Sequence, residues 1–256
     1  MEIRTEEKTI QTGDKSIFGC IWYPAAPGKR PAVILSHGYN GCHSDFDREC
    51  RFFAQNGVIA YSFDFCGGSV RSRSSGRSTD MTLFTEKADL LAVIDAVSRM
   101  DSADPDALFL LGGSQGGLVT ALAAEERSDR LRGMILYFPA FNIPEDWRSR
   151  FRSAEEIPET YPFWGLTLGR DFFVSMRDFV PFGHVGGFPG PVLIFQGDQD
   201  QIVPLAVAQQ AAQVYPQAKL TVLPGEGHGF SPAAAARVME TAFHQMIQGK
   251  SLSARG

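Results

Sequence analysis

Five short apolar runs constrain this chain more than any other feature. They are Pro31–Ser36, Val58–Phe63, Ala107–Leu111, Gly133–Phe138 and Pro191–Phe195. Runs of this length without polar alternation read as strands buried on both faces. Amphipathic stretches lie between them. Ser44–Asn56 puts Phe46, Cys50, Phe53 and Ala54 on one face, with Ser44 as the expected N-cap and Gly57 as the stop. Met81–Met100 carries Leu83, Leu90, Leu91, Ile94 and Val97 on one stripe. Further helices are expected after Gly117 to about Ser128, over Leu205–Val214 and over Pro232–Ile247, with a strand at Lys219–Leu223. The first 24 residues alternate around Gly13-Asp14, which predicts a hairpin packed by Ile17, Phe18, Ile21 and Trp22. Strands alternating with helices predict an α/β fold, with a mostly parallel sheet covered on both faces. Ligands of such sheets sit beyond the carboxyl ends of the strands.

A chain of 256 residues can bury a core without metal or disulfide staples. Its net charge of -5 argues against a nucleic-acid platform. No apolar run is long enough to cross a membrane. The charged start, MEIRTEEKTI, lacks the apolar stretch of a secretion signal, so the expected address is the cytoplasm. Cys20, Cys42, Cys50 and Cys66 lack C-x-x-C spacing and read as free thiols. No metal-ligand spacing, phosphate loop or dinucleotide fingerprint is present, so neither a metal nor a cofactor is expected.

Two segments break the alternation. Residues 66–80 form a Gly/Ser/Arg loop whose Arg71, Arg73 and Arg77 could grip an anion, although such composition usually means a solvated loop. Residues 140–190 are rich in aromatics, Pro and charge; about fifty residues of this kind inside an α/β fold are usually functional. Exposed aromatics there would suit a homodimer.

The motifs fall at strand ends. Gly112-Gly113-Ser114-Gln115-Gly116 fits G-x-S-x-G between a strand and a helix. That turn lifts a serine hydroxyl clear of the backbone and aims the next N–H, that of Gln115, at a developing oxyanion. Serine needs a base, and His228 in the loop after the last strand stands in the right chain order. The carboxylate that orients the base is expected at Asp200, three residues past Gly197, with Asp198 bracing the turn. A second oxyanion donor is expected from Tyr39, after Gly38. His37 reads as structural. His43 and His184 fall in loops near the expected site, and His244 on the last helix; none receives a catalytic role.

HGYNG, GGSQGG, GDQDQIVP and GEGHGF, in this order and spacing, resemble an α/β-hydrolase. SFDFCGGS, TLFTEKADLLAVID, LYFPAFNIPEDW and PFWGLTLGRDFF are similar to the bacterial cinnamoyl (feruloyl) esterase group of small serine carboxylesterases. The resemblance implies an α/β-hydrolase fold with a mostly parallel eight-stranded sheet and an N-terminal antiparallel hairpin. It also implies a core over 1–139 and 191–256, and a cap over 140–190 inserted after the sixth strand. It assigns catalysis to Ser114, Asp200 and His228, the oxyanion hole to Tyr39 and Gln115, and recognition of a phenolic hydroxyl to Asp146. Trp147 and Trp164 are the accompanying substrate contacts. The implied partner is a small-molecule ester, aryl or short-chain acyl. The same triad would also serve an amide or a thioester, and a non-catalytic binding protein is the remaining alternative. Gly113 stands where that group often has histidine, which leaves room beside Ser114.

Overall fold

The structure, a computed structural model, describes residues 2–25 and 27–249. In chain order the elements are β1 (Ile3–Thr12), β2 (Lys15–Pro24), β3 (Arg30–Ser36), α1 (Asp47–Gln55), β4 (Ile59–Phe63), α2 (Leu83–Val97), β5 (Ala103–Gly113), α3 (Gln115–Glu126) and β6 (Gly133–Tyr137). They continue as α4 (Ile143–Arg150), β7 (Thr160–Phe163), β8 (Leu166–Gly169), α5 (Arg170–Val174), β9 (Val192–Gly197), α6 (Leu205–Val214), β10 (Ala218–Leu223) and α7 (Pro232–Ala242). Eight strands form one sheet in the order β1-β2-β4-β3-β5-β6-β9-β10. The pairs β1–β2 and β2–β4 are antiparallel, and every other pair in this sheet is parallel. This is the mostly parallel, doubly covered sheet that the alternation predicted, in the α/β-hydrolase arrangement that the resemblance implied.

Period-two alternation splits the apolar runs between two cores. Ala32, Ile34, Leu108, Leu110, Met134 and Leu136 face the side covered by α2, α3 and the 140–190 insertion. Val33, Leu35, Phe109, Leu111, Ile135 and Tyr137 face α1 and α7. Both faces are therefore dry, which is why these strands contain almost no polar residue. Phe53, fully buried on α1, anchors the second core; truncating such a side chain to alanine costs about 3–5 kcal/mol.

Several boundaries differ from the expectation. The helix expected from Ser44 opens as a tight 3₁₀ turn over His43–Phe46, and α1 begins at Asp47. Asp45 causes this: its carboxylate accepts the Cys42 N–H at 3.0 Å, so Cys42 rather than Ser44 precedes the first turn. Residues 140–190 are not an aperiodic loop. They hold α4, the β7–β8 hairpin and α5, inserted between the sixth and seventh strands of the main sheet. The hairpin turns at Trp164 and Gly165, both at positive φ. The last helix passes into a π-helical turn over Phe243–Ile247. The last seven residues, 250–256, lie outside the described residues. Among the described residues, no helix is long and apolar enough to cross a membrane.

Candidate active site

Ser114 sits between β5 and α3 with φ 54° and ψ -123°, a conformation L-residues rarely adopt. Strain of this kind costs about 1–3 kcal/mol and persists only where surrounding structure enforces it. Here the Ser114 N–H donates to Tyr137 O at 2.9 Å, and Ser114 O accepts from Gly117 and Ala140. The turn also demands close backbone approach. A Cβ on Gly116 would lie 2.2 Å from the His37 carbonyl oxygen, so only glycine fits there.

His228 Nε2 lies 2.9 Å from Ser114 Oγ, and His228 Nδ1 lies 2.9 Å from Asp200 Oδ2. With Nδ1–H donating to the carboxylate, Nε2 is left to accept the serine proton. The Asp200 loop is moored to the His228 loop by Gln199 N–H donating to Glu226 O at 2.9 Å. Asp200 is saturated with donors: Ile202 and Val203 N–H groups to Oδ1, and Gln196 Nε2 and His228 to Oδ2. Burial alone would raise its pKa. The Val203 amide, His228 and the Ile202 amide together outweigh burial and hold the carboxyl below the ordinary aspartate value. Asp198 instead accepts the Gly225 N–H at 2.7 Å and braces the turn, as expected. Glu226 faces Ser231 at the start of α7, not the imidazole.

His37 is fully buried. Its Nδ1–H donates to Gly38 O at 2.7 Å, and its Nε2 accepts the Phe65 N–H at 3.1 Å. Burial lowers its pKa, so the ring stays neutral and fixes the 37–41 loop. Tyr39 is tied to the insertion, its hydroxyl donating to Phe163 O at 2.8 Å, and Asn40 Nδ2 donates to Trp164 O. Tyr39, Ser114 and Gln115 border one cavity of about 380 Å³. Asp146, Trp147 and Trp164 border it too, with Asn142, Arg150 and Phe163. The roles differ within that set. Trp147 is buried in an aromatic cluster with Phe151, Tyr161 and Phe173, whereas Trp164 is 59% exposed. Asp146 lies at the rim, where Asn142 Nδ2 donates to it at 2.7 Å. Partial desolvation raises its carboxyl above the ordinary value, against the pull of Asn142.

The remaining histidines stand apart from this cavity. His43 donates to Asp64 and packs on Phe18, His184 packs on Phe179, and His244 contacts Gln248. The loop arginines are paired rather than free to grip an anion: Arg71 with Asp45, Arg73 with Glu7 and Arg77 with Asp80. The four cysteines are free, and burial pushes Cys66 up to about 12, which keeps it an inert thiol. One convergence is invisible in the local spacing. Cys42, His43 and Asp64 bring potential metal ligands within 4.8 Å of one another, yet Asp64 already accepts three hydrogen bonds from His43 and the Arg73 amide. That grouping accounts for loop bracing without an ion.

Sequence reasoning missed two buried acids near the site. Glu86 on α2 accepts Gln115 Nε2 at 2.8 Å, beneath the residue after the serine. Glu49 on α1 is 2% exposed and pairs with Arg48. Both fall on the apolar stripes of their helices, Glu86 between Leu83 and Leu90 and Glu49 between Phe46 and Phe53. An acid at a core position was the available signal.

A doubly covered parallel sheet, a serine on a strained strand-to-helix turn and a histidine–carboxylate pair beyond its strand ends define an α/β-hydrolase. The chain belongs to the Hydrolase_4 family, described as serine aminopeptidase, S33, whose profile matches residues 27–177. It is similar to the rat (Rattus norvegicus) monoglyceride lipase, 24% identical over 63% of this chain and 52% of that one. It thus spans about half the length of that relative. The alpha/beta hydrolase domain-containing protein 17C of Xenopus tropicalis is 27% identical over 73% of this chain and 52% of its own. Among solved structures, ferulic acid-bound Est1E from Butyrivibrio proteoclasticus superposes with TM-score 0.85 at 27% identity, covering 94% of this chain and 99% of that one.

Proposed function

We propose that this protein is a serine carboxylesterase acting through an acyl-enzyme, with an aryl-bearing acyl group such as a hydroxycinnamoyl in the 380 Å³ cavity. The single observation that carries this reading is the unbroken chain Ser114–His228–Asp200, both links 2.9 Å, opening on that aromatic-walled cavity. His228 takes the Ser114 proton as Oγ attacks the ester carbonyl. The Tyr39 and Gln115 N–H groups receive the oxyanion, each such donor being worth ~100-fold or more in turnover. His228 then protonates the departing alcohol oxygen as the C–O bond breaks, and water releases the acid by the same steps. Asp146 at the rim accepts the phenolic hydroxyl.

Turnover of methyl hydroxycinnamates against short aliphatic p-nitrophenyl esters tests this reading. Preference for the hydroxycinnamates, reduced in Asp146→Asn, is expected. A flat profile unchanged in that variant would remove the aryl assignment and leave a generalist esterase. The family description favours a second reading, in which Asp146 holds the amine of a peptide N-terminus. Cleavage of aminoacyl p-nitroanilides faster than any ester would establish it instead.

A further inference from the structure

The loop that carries the Tyr39 N–H lies against the nucleophile: a Cβ on Gly38 would stand 3.1 Å from Ser114 Cβ. His37 fixes its near end. Its far end turns at Asn40, whose φ of 53° is left-handed. Asparagine is one of the few side chains that visit this region routinely, which explains the residue type. It does not explain what the side chain does. Both of its polar atoms are engaged, and they hold two other segments of the chain.

One is the insertion. Asn40 Nδ2 donates to Trp164 O at 3.0 Å, at the tip of the β7–β8 hairpin. That tip is shaped around the contact: Trp164 has φ 38°, and a Cβ on Gly165 would lie 3.0 Å from Asn40 Nδ2. The other is the Gly/Ser/Arg loop. Asn40 Oδ1 accepts the Val70 N–H at 3.1 Å, and the Ser69 hydroxyl donates to Asn40 O at 3.1 Å and Oδ1 at 3.3 Å. Arg71 extends this wrap. Its N–H donates to Ser69 Oγ at 3.0 Å, and its guanidinium donates at 2.9 Å to Asp45, the acid that accepts the Cys42 N–H. Residues 69–71 therefore brace the 38–42 loop, a use for their polar groups other than gripping an anion.

Such bonds add little to stability when they lie partly in water. Their value to catalysis is larger, because a donor displaced by about 1 Å can cost on the order of 100-fold in rate.

We propose that Asn40 is a positioning residue: its amide joins the insertion hairpin and the 69–71 segment to the loop that carries the Tyr39 N–H, and so sets that oxyanion donor in place. This rests on the esterase reading and deepens it. The experiment measures kcat and KM for p-nitrophenyl acetate, whose acyl group is too small to need the hairpin, in the wild type, Asn40→Gly and Ser69→Ala. Asn40→Gly accommodates the left-handed φ and deletes the bridge; Ser69→Ala loosens one arm of it. The same proteins are titrated with an aliphatic trifluoromethyl ketone. Ser114 Oγ adds to the ketone carbon, His228 takes the proton, and the carbonyl oxygen becomes the oxyanion. Its inhibition constant does not depend on the fraction of protein that is folded.

Asn40→Gly should lower kcat about tenfold or more, since outright loss of an oxyanion donor costs ~100-fold or more. KM should stay within about twofold, and ketone affinity should fall by the same factor as kcat/KM. Ser69→Ala should show a smaller, severalfold loss in both. Wild-type kcat in either variant would overturn the proposal. A lower kcat with unchanged ketone affinity would overturn it too, because the residue would then serve only folding. A wild type that neither cleaves p-nitrophenyl acetate nor binds the ketone would overturn the esterase reading itself.

Discussion

Two buried carboxylates flank the same serine, and their surroundings give them opposite characters. At the ends of β9 and β10, Asp200 receives four hydrogen bonds and is held below the ordinary aspartate pKa. Under Gln115, Glu86 receives one from that residue's side chain, and burial pushes it up to about 8, with Asp89 adding to the rise. Burial alone therefore does not decide ionisation; the number of N–H groups aimed at the oxygens does. The ionised acid stands against the His228 ring, where the proposed reaction would have it stabilise an imidazolium. The neutral one holds the side chain of Gln115, whose N–H is a donor in the proposed reaction and needs only a firm support.

Asparagine substitutions in the 198–200 loop sharpen the contrast most. Asp200→Asn should keep the fold but lower kcat by about 10³–10⁴-fold, because an amide cannot hold the right imidazole tautomer or balance its charge. Asp198→Asn, two residues away, should change kcat less than tenfold, since its carboxylate touches a turn amide and not the imidazole. Comparable losses in both would break the distinction between orienting acid and turn brace. Steady-state kinetics on one ester reads both.

Glu86 gives the next effect, on stability rather than rate. Its folded pKa of about 8 lies above the ordinary glutamate value of 4.5, so the native state binds the extra proton between these values. Its favourable contribution is complete below about 4.5 and is lost as pH rises through about 8. Chemical denaturation at pH 5 and pH 9 should therefore show the wild type losing stability relative to Glu86→Gln, by on the order of a few kcal/mol. An identical pH dependence in the two proteins would mean that Glu86 is ionised throughout. The smallest effect is expected at the exposed ring of Trp164, where Trp164→Ala should raise KM a fewfold with little change in kcat, as for a contact equal in ground and transition states.

The parts of this molecule that were legible in sequence share a physical cause. Strands buried on both faces must be apolar throughout, so Ala32–Leu35 and Leu108–Leu111 announce themselves. Glycine is obligatory where backbones nearly touch, so the elbow around Ser114 does too. Ser114, Asp200 and His228 each follow a strand end, and chain order alone places them at one mouth. What was not legible depends on packing between distant segments. Neither the burial of Glu49 and Glu86 nor the orphaned Tyr137 hydroxyl follows from local pattern, although both acids occupy core positions of their helices. The 3₁₀ turn before α1 hangs on one Asp45 side chain competing for a backbone N–H, a choice that helix periodicity does not encode. The β7–β8 hairpin was obscured because Trp164 occupies a positive-φ turn position where Asn or Gly is usual.

Everything proposed for the reaction requires that His228 activates Ser114. Peptide mapping after treatment with a fluorophosphonate, in the wild type and in His228→Ala, tests this most directly. The account predicts a single adduct on Ser114 whose formation slows by several orders of magnitude when the imidazole is removed. An adduct on another residue, or labelling of Ser114 at the same rate without His228, would contradict it.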